Sequence, residues 1–159
     1  MSYFADRDIG RTMVRRVQLI ETIDDGDMQI VSAEGFADEI FKKVHRVQPY
    51  GHSSHAPKKS HGIVVSAGGR PDQGFLLGVE DANSRPRDLP EGANVLYDAS
   101  GNMIYMHQKK IKITTDMLII DAKDEVEINT PRLTVNAYIF HTGNMMTSGV
   151  HVDAAGTHR

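Results

Sequence analysis

The chain has 159 residues, a formal net charge of -3 and neither cysteine nor tryptophan. That length accommodates one compact domain plus an appendage, or two small domains, and the missing thiols exclude disulfides and thiolate metal sites, leaving burial or assembly to supply stability. No apolar run approaches the roughly 20 residues of a membrane-spanning helix, the first residues lack the basic and apolar regions of a secretion signal, and the basic doublets Arg15-Arg16, Lys42-Lys43, Lys58-Lys59 and Lys109-Lys110 are too scattered for a nucleic-acid track.

Residues 1–12 are polar and aperiodic, and read as an arm. From Met13 to Ile23 β-branched residues accumulate, Asp24-Asp25-Gly26 supplies a turn, and Met28, Ile30 and Val31 resume extended chain, which predicts a hairpin. The next stretch fits two templates: Phe36, Ile40, Phe41 and Val44 make a helical stripe, while residues 40–47 fit a strand, which is the expected form. Residues 49–62 are a loop by composition, carrying His52, His55 and His61. Their spacing puts no pair on one face of a regular element, so solvated histidines are the simpler reading than a metal site. Ile63-Val64-Val65-Ser66-Ala67 reads as a strand, Gly68-Gly69-Arg70-Pro71-Asp72 as a turn with no phosphate-loop pattern, and Phe75-Leu76-Leu77-Gly78-Val79 as another strand. Residues 81–92 are turn-rich and lead into a strand over 94–98. Five or six short strands in residues 13–98 are the content of a small OB-like Greek-key barrel, with 99–102 as a linker. Aromatic platforms for single-stranded nucleic acid are sparse, with five phenylalanines and five tyrosines in the chain, so no nucleic-acid partner is expected.

Residues 103–140 repeat an apolar-x-apolar unit: Ile111/Ile113, Leu118/Ile120, Val126/Ile128 and Leu133/Val135. Alternation within each unit is that of a strand, and Thr114-Thr115-Asp116, Asp121, Lys123-Asp124 and Asn129-Thr130-Pro131 separate the units. A ribbon this narrow cannot bury its own apolar face, and no Asn-Gly or Asp-Gly turn between Lys109 and Phe140 marks an ordinary meander. The pattern predicts an intertwined strand stack whose core is completed by other copies of the chain. Beyond Phe140 the residues become small and polar, with Met145 and Met146 as candidate core fillers.

The succession of Val47-Gln48-Pro49-Tyr50-Gly51-His52-Ser53-Ser54-His55, Gly68-Gly69-Arg70-Pro71-Asp72, Arg85-Pro86-Arg87-Asp88-Leu89-Pro90-Glu91-Gly92 and Val95-Leu96-Tyr97-Asp98, followed by the strand stack, resembles the central spike proteins of Mu-like contractile-tailed phages, the baseplate assembly protein V group. The resemblance spans residues 13–159. It implies an all-β homotrimer: three OB-like barrels as a hub collar, a triple-stranded β-helix shaft over 103–140, and a tapering apex over 141–159. Partners implied are the baseplate hub proteins and the host outer membrane, which the spike contacts and punctures on sheath contraction; the implied location is the virion tail tip, after assembly in the host cytoplasm. In the shaft Ile111, Ile113, Leu118, Ile120, Val126, Ile128, Leu133 and Val135 would form the trimer core.

The apex in that family often carries a His-x-His pair from each of three chains around one iron ion. Here His158 has no such partner, and iron is expected only if the chain continues beyond Arg159; a fragment cut there is the expectation. His151 and Asp153 form a His-x-carboxylate pair that departs from the family pattern. Two other function classes compete with a spike. A glycan-degrading tailspike needs paired carboxylates in a cleft, whereas Asp116, Asp121, Asp124, Glu125 and Glu127 fall in turns or on outward positions and are balanced by Lys109, Lys110, Lys112 and Lys123, so no enzyme is expected. A glycan-binding tail adhesin is the stronger competitor, to be discriminated by binding to purified lipopolysaccharide.

Overall fold

A computed structural model describes residues 13–70, 73–144, 151–153 and 156–158. The expected arm over 1–12 and the Met145-Met146 pair lie outside the described residues. Five strands, β1 (Val14–Ile23), β2 (Ile30–Glu34), β3 (Ile40–Arg46), β4 (His61–Ser66) and β5 (Gly74–Glu80), close a barrel in the order β1-β2-β3-β5-β4. All neighbours are antiparallel except β3 and β5, which run parallel through His45↔Phe75 and Arg46↔Leu76. The ambiguous stretch resolves into a short 3₁₀ turn, Phe36–Asp38, followed by a strand, with Phe36 exposed.

Alternation along each strand fills the interior. Val17 and Leu19 of β1, Val31 and Ala33 of β2, Phe41 and Val44 of β3, Val64 of β4 and Leu76 of β5 are all buried in one cluster. Phe41 and Val44 stand three apart because Lys42 and Lys43 together oppose Ser32, and Lys43 takes a left-handed φ of 56°. Register also shifts between Leu19 and Glu21, and again in the β4–β5 ladder. Such bulges bend strands sharply enough for a few short ones to close on themselves. Wall spacing is tight as well: a Cβ on Gly62 would lie 2.9 Å from Leu76 Cδ1, so a larger residue there requires the Leu76 side chain to shift.

Downstream, β6 (Asn94–Tyr97), β7 (Met103–His107) and β8 (Lys110–Thr114) form a three-stranded antiparallel sheet. This corrects the expectation from sequence: β6, expected as the last barrel strand, pairs with β7, and the expected linker 99–102 is their turn. Asp98 organises that turn. Its Oδ1 accepts hydrogen bonds from the Ser100 (2.8 Å) and Asn102 (3.0 Å) backbone N–H groups, and Asn102 Nδ2 donates to Oδ2 at 2.7 Å. These bonds hold the Asp98 carboxyl below the ordinary carboxylate range, the Asn102 side chain contributing most. The β7–β8 turn uses Gln108 (φ 49°) and Lys109 (φ 60°), two left-handed residues of the kind a type I′ hairpin requires, without the glycine or asparagine that usually announces it.

The chain divides into two units, Met1–Leu118 and Ile119–Arg159. Among the described residues no strand forms between Thr114 and His151, after which β9 (His151–Asp153) and β10 (Gly156–His158) pair antiparallel. No α-helix occurs among the described residues.

Candidate assembly surface

The long connection between β3 and β4 is fixed by a buried cation. Arg46 Nη1 donates to Gln29 Oε1 at 2.6 Å and also to the Ser54 carbonyl, Nη2 donates to Ser54 Oγ at 2.9 Å, and Gln29 Nε2 donates to the Ser54 carbonyl at 3.2 Å. Gln48 Oε1 in turn accepts from Ser54 N–H at 2.8 Å. Burial pulls the Arg46 pKa down, and Asp24 opposes that shift. The network ties loop to barrel through neutral acceptors, so Arg46 serves as an anchor. Its one advance signal was position: it follows Val44 by two in β3 and is buried like it.

This loop borders a cleft of about 530 Å³ lined by Arg46, His52, His55, Asp81, Tyr97 and Asp98, among others. His55 Nδ1 lies 3.6 Å from Asp24 Oδ2. His61 instead sits in β4, where its Nε2 is 3.5 Å from Gln18 Nε2, and it lines a separate, smaller hollow. His61 is thus set apart from His52 and His55, and no group of three or more His, Cys, Asp or Glu placed to hold a metal exists among the described residues. His158 lies on β10, in register with His151 of β9.

The larger surface is apolar and lies downstream. In the three-stranded sheet Leu96, Ile104 and Ile113 are in register, as are Met106 and Ile111, so these five share one face. Among the described residues Leu96, Ile104, Ile111 and Ile113 of this face are exposed. The repeat beyond continues the same condition. Every residue from Gln108 to Asn144 is exposed. Among the eight expected core residues exposure runs from 49% at Val135 to 69% at Ile111.

Local order nevertheless persists through this stretch. Bends occur at Asp116, Lys123-Asp124, Pro131, Ala137 and Thr142-Gly143. Several are closed by a side chain reaching the carbonyl two residues on: Thr115 Oγ1 to Met117 (3.1 Å), Thr130 Oγ1 to Arg132 (3.0 Å) and His141 Nδ1 to Gly143 (3.0 Å). The turns are thus encoded locally, whereas the faces between them have no partner among the described residues. Asp116, Asp121, Asp124, Glu125 and Glu127 are all exposed along this stretch.

Residues 16–83 match the family described as Bacteriophage Mu Gp45, N-terminal. The barrel is thus similar to the N-terminal region of that family. That match begins inside β1 and ends just past β5, coinciding with the closed barrel and leaving the exposed sheet and repeat outside it. A second similarity reaches further. The chain is 29% identical over 130 residues to the baseplate puncturing device gp45 of Escherichia phage Mu, covering 77% of this chain and 66% of that relative, just under two thirds of its length. An alignment of that length must extend past residue 83 into the exposed sheet or repeat, so the Mu Gp45 likeness is carried by more than the barrel.

Proposed function

We propose that this chain is a structural, non-enzymatic component of a phage tail baseplate: the central spike that contacts and punctures the host outer membrane when the sheath contracts. It resides in the virion at the baseplate tip, after assembly in the host cytoplasm, with baseplate hub proteins as neighbours. The likeness to the Mu puncturing device supports the role. One observation carries the mechanism: from Gln108 to Asn144 nothing is buried, although Ile111, Ile113, Leu118, Ile120, Val126, Ile128, Leu133 and Val135 recur with strand alternation.

Three copies wound about one axis remove that exposure. Burying each such side chain contributes about 1.5–3 kcal/mol before the entropy of ordering is subtracted, and the term recurs three times per layer. Strand edges left open in a single chain become interchain ladders, and a triple-stranded β-helix of that kind transmits axial load without a hinge. The barrel supplies the collar. Its order, β1-β2-β3-β5-β4 with β3 and β5 parallel, fits an OB-like Greek-key barrel. The exposed Lys109, Lys110, Lys112 and Lys123 alternate with the carboxylates to keep the rod's exterior soluble. Iron has no assigned part.

Solution mass by light scattering, before and after mild heating, tests the reading. A resistant species near three times the 17.6 kDa chain is the expected result, and a well-folded monomer overturns it.

A further inference from the structure

The spacing of bends to apolar residues gives the repeat a reading frame. Following the bends at Asp116, Asp124 and Pro131, the proposed core pairs fall two and four residues on, at Leu118/Ile120, Val126/Ile128 and Leu133/Val135. Residues one and three beyond each bend then face out: Met117/Ile119, Glu125/Glu127 and Arg132/Thr134. Ala137 is the next bend. By the same frame Ile139 and His141 turn inward, and Tyr138 and Phe140 turn outward. Tyr138 and Phe140 are each 93% exposed, the highest values among the large apolar side chains of this stretch.

Their surroundings differ from those of the other outward apolar pair. Met117 and Ile119 are flanked by Asp116 and Asp121, whereas between Arg132 and Asp153 the sequence has no Asp, Glu, Lys or Arg at all. An outward aromatic pair in an uncharged stretch has the chemistry of the bilayer interface, where Tyr and Phe place their rings among headgroups and upper acyl chains without desolvating a charge. We infer that Tyr138 and Phe140 form a lipid-binding aromatic girdle, six rings around the trimer, that engages the hydrocarbon boundary of the host membrane. This rests on the trimeric spike reading, and it adds a site: contact with lipid is made by a defined band of side chains.

Because the chain lacks tryptophan, Phe140→Trp in the full chain gives a single-tryptophan probe that can be excited selectively over the five tyrosines. The variant should remain a trimer by light scattering, with emission that is red and fully open to acrylamide in buffer. Protein-free vesicles of phosphatidylethanolamine and phosphatidylglycerol should shift it to the blue and shield it, at high salt as well as low. In flotation assays Tyr138→Ser combined with Phe140→Ser, again as a trimer, should lower vesicle partitioning by about tenfold or more, since the area removed from water is lost three times over. A trimer whose introduced indole is already blue and shielded without vesicles overturns the outward frame. An open indole that no vesicle affects overturns lipid as the occupant and leaves the trimeric spike standing. A monomer removes both.

Discussion

Val31, Val64 and Leu76 are fully buried within one barrel, whereas Ile113, Ile120 and Val126, the same kinds of side chain on the same strand alternation, are at least half exposed. Composition does not separate the two regions; closure does. Five strands, helped by bulges at Lys42-Lys43 and near Ile20, return to their starting edge, so every inward residue meets another. In the repeat beyond Thr114 each apolar pair is followed by a bend that carries the chain onward, and among the described residues no strand lies beside it. The contrast teaches that a hydrophobic period identifies a strand, while the partner of that strand depends on where the next turn sends the chain.

The comparison can be broken most severely in the repeat. Ile120→Asp or Val126→Asp would place three unpaired carboxylates at one level of the proposed core, and the trimer should dissociate while the barrel stays folded, seen as a mass near that of one chain with a retained barrel unfolding transition. The converse change is Leu76→Ala, which empties a fully buried position and should cost the barrel about 2–5 kcal/mol in denaturant unfolding. A smaller loss, about 1–3 kcal/mol, is expected for Gly62→Ala, whose new methyl meets Leu76 Cδ1; Gly62→Ala combined with Leu76→Val should recover part of it.

The smallest effect sharpens the boundary between the regions. The Asp98 carboxyl is lowered by its bonds to Asn102, Ser100 and Gly101, so its contribution to the β6–β7 turn is complete above the unfolded carboxylate pKa and is lost only as pH falls through the lowered folded value. Amide signals of Ser100 and Asn102 should therefore hold through mild acid and shift below the usual carboxylate range. Asp98→Ala should abolish that transition and leave the barrel core signals unchanged.

Much of this was legible in residue order. The hairpin around Asp24-Asp25-Gly26, the choice of strand over helix for 40–47, and the strands read at 63–67 and 75–79 followed from β-branched content and turn residues, and the structure places them at 40–46, 61–66 and 74–80. The membership of β6 was not, because Asp98-Ala99-Ser100-Gly101-Asn102 has the composition of both a linker and a tight turn, and only the pairing of Leu96 with Ile104 decides between them. Nor was the Gln108-Lys109 turn, since neither residue advertises the left-handed backbone it adopts. At the candidate surface the apolar alternation from Ile111 to Val135 was readable as a pattern, and its inward assignment is the proposal made above. The anchoring role of Arg46 was not, because a buried guanidinium satisfied by Gln29 and Ser54 depends on residues 17 and 8 positions away.

The exposure of every residue from Gln108 to Asn144 also bears on time. A barrel whose core is complete within one chain forms at a rate independent of how many other chains are present. Strands that lack a partner in their own chain must wait for an encounter, and their rate rises with concentration. The proposed spike would therefore mature on two clocks, the second of which slows on dilution while the first does not.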